Sequence, residues 1–141
     1  MAERRARERQ AAARVRETGE RVTAARVSVL AALLGARAPL SHAELERRVA
    51  HARMDRVTLY RVLEWLVARG LARRIAAADR AWRFVAAGGG HEAHAHFHCR
   101  GCGKVLCLER AKTARVAAPV PPGFRADGIE VTVRGLCRGC R

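Results

Sequence analysis

Cys99-Arg100-Gly101-Cys102 and Cys137-Arg138-Gly139-Cys140 are nearly the same tetrapeptide used twice. In each, two residues separate the thiols, a gap that lets both sulfurs face one ion from a tight turn. Two such knuckles complete a tetrahedral set, so Cys99, Cys102, Cys137 and Cys140 predict one structural Zn²⁺ site. A pair of disulfides is the competing reading, and nothing else in the chain points to the oxidising compartment that disulfides need. The knuckles lie further apart than in a minimal zinc ribbon, so a strand or helix is expected inside the loop that the metal closes. The C-terminal part is therefore a small lobe stapled by a cation.

Just before the first knuckle, His91-Glu92-Ala93-His94-Ala95-His96-Phe97-His98-Cys99 concentrates imidazoles. On a strand His94, His96 and His98 share one face while Phe97 and Cys99 point to the other, so imidazoles and thiolates can serve two different metals. Beyond the knuckle, 104–109 continues as a strand, 110–118 is expected as a short helix, Pro119, Pro121 and Pro122 break it, and 124–136 reads as strand-like segments. Cys107, the fifth cysteine, is read as a small apolar filler.

Upstream, residues 86–90 end in three glycines and read as a hinge. Before them lie helical patterns. Residues 2–20 are rich in Ala, Arg and Glu, with Glu3 and Arg7 at i,i+4 spacing, and predict a solvated helix. Thr23 caps a helix to Leu34, with Val27, Leu30 and Leu34 on one stripe and Gly35 at its end. Ser41-His42-Ala43-Glu44 is a capping-box pattern that starts a short helix with Leu45 and Val49 inward. Asp55 caps a further helix, 56–69, closed by Gly70, with Val57, Leu63 and Leu66 or Val67 available to the core. Residues 71–75 and 81–85 then form a hairpin around Asp79-Arg80. Helices followed by a two-stranded wing predict a winged helix-turn-helix, with helix 56–69 entering a major groove and wing arginines meeting phosphate.

Charge agrees with that partner. The formal net charge is +15, and Lys104 and Lys112 are the only lysines among 28 cationic side chains. Arginine's planar fork suits phosphate, so a polyanion is the expected partner. The stretch Met1–Arg16 is charged throughout and no apolar run reaches 18 residues, so no signal peptide or membrane span is expected, and the chain is placed in the cytoplasm.

The order of winged helix, glycine hinge, His cluster and paired knuckles resembles the ferric uptake regulator family of metal-dependent repressors. The pieces that carry the resemblance are Arg21-Val22-Thr23 with Arg26, Thr58-Leu59-Tyr60-Arg61-Val62-Leu63, His94 to Gly103, and Gly135-Leu136-Cys137. It implies an α+β chain: a winged-helix DNA-binding domain over 1–85, a hinge at 86–90, and a small α/β metal-binding and dimerisation domain over 91–141. It also implies a homodimer whose C-terminal lobes share a sheet and whose winged helices grip an A·T-rich palindrome in double-stranded DNA. Tyr60 and Arg61 match the family's recognition-helix contacts, and Arg21 its basic residue before the first winged-helix helix; Arg26 and Thr58 belong to the same motifs. His94 and His96 match two ligands of an inter-lobe regulatory site, for which His42 and His91 (or Glu92) are the nearest further candidates. Ala93 and Ala95 replace the ligands of another family site, so two metals per chain are expected. His98 stands where the family has an apolar residue, as an extra ligand or a solvent-facing side chain.

Zn²⁺ is expected at the regulatory site ahead of Fe²⁺, Mn²⁺ or Ni²⁺, because the cluster lacks the extra carboxylates that harder ions favour. Iron- or peroxide-responsive regulation is the alternative within the family, and a zinc-ribbon RNA-binding or metal-buffering protein the alternative outside it. No enzyme is expected, since a Cys₄ set leaves zinc no open position.

Overall fold

A computed structural model describes residues 1–77, 79–87, 94–112, 120–125 and 131–141, excluding the side chains of 94, 107 and 109–112. The described elements are α1 (Ala2–Glu17), α2 (Ala24–Leu34), α3 (His42–Arg48), a 3₁₀ turn (Ala50–Ala52), α4 (Arg56–Ala68), β1 (Ala72–Ala76), β2 (Trp82–Ala86), β3 (His94–Cys99), β4 (Val105–Lys112) and β5 (Val131–Gly135).

Local chemistry sets the helix starts. Thr23 Oγ1 accepts from the Arg26 N–H at 3.2 Å, and Asp55 Oδ1 from the Thr58 N–H at 2.6 Å. At α3 the capping box is complete: Ser41 Oγ accepts from the Glu44 N–H at 3.2 Å while Glu44 Oε2 accepts from the Ser41 N–H at 2.7 Å. The apolar faces then meet in one core, where Leu30, Leu33, Leu45, Leu59, Leu63 and Leu66 are fully buried. Each such leucine contributes about 1.5–3 kcal/mol relative to exposure. A cap contributes about 1 kcal/mol, so packing holds the helices together and the caps fix where they begin.

Three expectations change. The first helix is docked, with Ala11 and Val15, one turn apart on the same side of a largely charged helix, fully buried against the core. Val57 is 58 % exposed; the buried face of α4 is Leu59, Val62, Leu63 and Leu66, which turns Val57 outward. Residues 110–112, expected in a helix, extend β4 through pairing with β3, while 113–118 lie outside the described residues.

The wing is the antiparallel pair β1–β2, in register from Ala72↔Ala86 to Ala76↔Trp82. Leu40 adds a bridge to it, exchanging both backbone hydrogen bonds with Phe84 at 3.0 and 2.8 Å. Ala87 remains tied to this unit through its N–H to the Leu71 carbonyl at 2.9 Å, and the glycines 88–90 lie outside the described residues. In the second sheet, order β4-β3-β5, β3 is central, antiparallel to β4 and parallel to β5. Covered on both flanks, it buries Ala95, His96, His98 and Cys99.

Candidate metal centre and nucleic-acid interface

The four predicted cysteine ligands converge. Cys99 ends β3, Cys102 closes the turn after it, and Cys137 and Cys140 follow β5, so the parallel pairing of β3 with β5 brings the two knuckles together. Their sulfurs all lie within 4.8 Å of one another. A tetrahedron with Zn–S bonds of about 2.3 Å has edges of about 3.8 Å, and Cys102 Sγ and Cys137 Sγ stand 3.7 Å apart. All four are free thiols, so the disulfide alternative fails on geometry and chemistry together.

Backbone dipoles prepare the first sulfur for a cation. The Cys137 N–H donates to Cys99 Sγ at 3.2 Å, and this bond, with further N–H groups of its own turn, pulls the Cys99 thiol down to about 6. Cys140 is pushed up to about 12 by the neighbouring sulfurs of Cys137, Cys102 and Cys99. Four thiolates cannot share so small a volume unless a cation neutralises them, and the donor set therefore fits Zn²⁺. Gly101 makes the approach possible: a Cβ there would lie 2.8 Å from both Cβ and Sγ of Cys140.

The His cluster is described in part. His96 is 8 % exposed and His98 2 %, so the solvent-facing alternative for His98 does not hold. His98 Nε2 is buried with no hydrogen-bond partner, and burial chiefly, then Arg134 and Arg83, lowers its pKa. The wing reaches this region, since a Cβ at Gly103 would lie 3.6 Å from Asp79 Oδ2 at the wing tip. The side chains of His94 and Cys107, and all of His91, lie outside the described residues. His42 stands elsewhere: its ring makes edge contacts with Tyr60 at 4.4 Å and Phe84 at 4.8 Å, and burial lowers its pKa. Among the described residues, the four cysteines are the one group of His, Cys, Asp and Glu gathered tightly enough to hold an ion.

The expected DNA-contacting residues separate into two sets. Tyr60 is 41 % exposed and Arg61 is exposed, on the outer face of α4 beside Val57. Thr58 is half-buried, with its N–H engaged by the Asp55 cap. Arg21 is exposed in the α1–α2 link, whereas Arg26 is turned inward, its guanidinium 3.7 Å from the centre of the Trp65 ring. Trp82, 46 % exposed, stacks beneath Arg74 on the wing at 5.1 Å and was not anticipated from the sequence. Its place opposite Ala76 at the start of a short strand was the available signal. No described helix is long and apolar enough to cross a membrane.

A winged helix joined to a sheet that carries a four-thiolate centre defines a two-lobed, metal-site protein of the regulator type. Residues 17–133 match the profile of the ferric uptake regulator family. Transcriptional regulator FurA of Mycobacterium bovis is 32 % identical over 136 residues, spanning 92 % of this chain and 88 % of the relative. Among solved structures, holo XcZur is 29 % identical with a TM-score of 0.57, covering 97 % of this chain and 95 % of that one. The ferric uptake regulator of Pseudomonas aeruginosa with manganese is 25 % identical with a TM-score of 0.65, covering 89 % and 96 %. The chain belongs to the ferric uptake regulator family and is a metal-responsive transcription regulator.

Proposed function

We propose that this chain is a zinc-responsive repressor that binds an A·T-rich palindromic operator as a homodimer and controls metal-homeostasis genes. The observation that carries the reading is the outer face of α4, where Val57, Tyr60 and Arg61 stand exposed while the opposite face is locked into the core. An aromatic ring and an exposed valine suit thymine methyl groups, and Arg61 suits phosphate or a guanine edge. Arg21 adds a cation beyond the helix, and the net charge of +15 supplies long-range attraction to a duplex.

The second lobe supports association with a copy of itself. Phe97 pairs across the sheet with Leu106 on one side and Val133 on the other, so these three share a face. Leu106 and Val133 are 38 % and 44 % exposed, an apolar row that a partner lobe would cover.

Regulation is assigned to a second metal at His94 and His96, completed by His91 or by His42 once it leaves its aromatic contacts. Such an ion supplies bonds that link the two lobes. Metal that prefers one lobe angle raises the binding-competent fraction, and DNA affinity rises with it. The Cys₄ zinc, closed to further ligands, does not switch. Operator binding with and without added Zn²⁺, in protein that retains its Cys₄ zinc, tests this: equal affinities reject the switch.

Iron or manganese response is the second reading, favoured by the likeness to the manganese-bound Pseudomonas aeruginosa regulator. Metal analysis of protein purified from its own host separates it from the first, and peroxide-dependent release of DNA with iron alone identifies a peroxide sensor. A footprint on its own promoter separates both from an RNA-binding or metal-buffering protein.

A further inference from the structure

Arg26 stands in the motif that carries the DNA-binding resemblance, yet both terminal nitrogens and one face of its guanidinium are engaged within the protein. Its side chain is 20 % exposed. The ring of Trp65 lies against one face, Nη1 donates to the carbonyl oxygen of Arg21 at 2.6 Å, and Nη2 stands 3.6 Å from Glu20 Oε2. Glu20 is itself held, accepting from Trp65 Nε1 at 2.7 Å and pairing with Arg69 at the end of α4. The backbone N–H of Arg26 is tied to Thr23 Oγ1. The link between α1 and α2 is thereby fastened to Trp65 and Arg69 of the α4 end through Glu20, and to Arg26 of α2 through the Arg21 carbonyl and Thr23. The Arg21 side chain projects into solvent beside the exposed Val22.

We propose that Arg26 is a positioning residue: it does not meet DNA, but with Glu20 and Trp65 it fixes the Arg21 backbone so that the Arg21 side chain is presented to a phosphate in one direction. The inference rests on the reading of Arg21 as a DNA contact. The choice of arginine follows from its shape. One planar group stacks on an indole while its edge serves two acceptors, and an ammonium cannot do both. A link held in this way is ordered before the duplex arrives, so less freedom is lost on binding.

A double-mutant cycle on the full-length, zinc-loaded protein tests it, with anisotropy of a labelled duplex carrying its own promoter region as the readout. Arg21→Ala and Arg26→Ala are each expected to weaken binding about tenfold. The double variant is expected to bind no more weakly than Arg21→Ala, because Arg26 acts through Arg21. Arg26→Lys is expected to lose as much as Arg26→Ala. Multiplied losses in the double variant, or parental affinity in Arg26→Lys, overturn the proposal, since either identifies Arg26 as a charge acting on DNA by itself.

Amide exchange of residues 20–24 without DNA reads the lock directly. It is expected to accelerate in Arg26→Ala and in Glu20→Gln; unchanged exchange overturns the lock whatever the DNA results. Arg21→Ala binding as tightly as the parent overturns the DNA role of Arg21, and presentation with it, while exchange still judges the lock. Thermal unfolding checks each variant, and Glu20→Gln, which keeps an acceptor for Trp65, replaces Arg26→Ala in the cycle should the latter fail to fold.

Discussion

At the scale of single residues, the two knuckles differ in one respect that their near-identical sequences conceal. Gly101 faces Cys140 at a distance no side chain can occupy, whereas a Cβ at Gly139 would lie 4.0 Å from Cys137 Sγ, an ordinary contact. Gly101→Ala is therefore expected to push the knuckles apart and lower zinc stoichiometry well below one per chain, while Gly139→Ala retains the ion. Elemental analysis after dialysis against a weak chelator distinguishes them; equal zinc contents would show that the site relaxes around an added methyl. The cysteine spacing made the metal site legible because two thiols on one turn have few other uses. The asymmetry between the glycines was not legible, because it depends on how the knuckles are brought together through β3 and β5.

At the scale of elements, burial decides what sequence pattern leaves open. Residues 2–17 read as a solvated charged helix because their apolar side chains are few, yet Ala11 and Val15 are both fully buried. Val15→Ala is expected to cost about 1–2 kcal/mol of stability, by comparison with other buried large-to-small changes. Denaturant unfolding measures it, and a cost near zero would mark the helix as an undocked appendage. Helix starts were legible down to the residue, since a capping box uses only local hydrogen bonds. Ser41→Ala should accordingly cost about 1 kcal/mol in the same measurement. The helical faces were less legible: Val57 and Leu59 are equally apolar, and only the docking of α4 onto α2 and α3 selects Leu59.

The cap of α4 also carries a pH signature. The Thr58 N–H, and then the Arg61 charge, hold the Asp55 carboxyl below the usual carboxylate range. A depressed folded-state pKa gives a contribution that is present above the unfolded value and lost as pH falls through the folded one. Amides in the first turn of α4 should thus lose exchange protection, after correction for the intrinsic rate, as pH falls below about 4. Asp55→Asn, which keeps an acceptor and cannot titrate, should flatten that profile; an unchanged profile assigns the effect to another group.

At the scale of the whole molecule, the proposed affinity for a palindrome requires two reading heads at a fixed separation, so in that reading the sheet of the second lobe governs what α4 of the first achieves. The row Leu106, Phe97 and Val133 is the surface proposed to carry that coupling. Leu106→Glu places a charge at one end of that row, beside Phe97, where a partner lobe would have to desolvate it, yet the residue is exposed enough in the single chain for the fold to survive. The variant is expected to be monomeric by light scattering at micromolar concentration, to keep its zinc, and to bind the operator at least about 10²-fold more weakly, the loss that follows when a second contact ceases to be intramolecular. A single half-site should bind the variant and the parental chain equally. If Leu106→Glu remains dimeric, the lobes pair elsewhere; if it is monomeric but grips the full palindrome undiminished, one winged helix suffices and the symmetry of the operator has another cause.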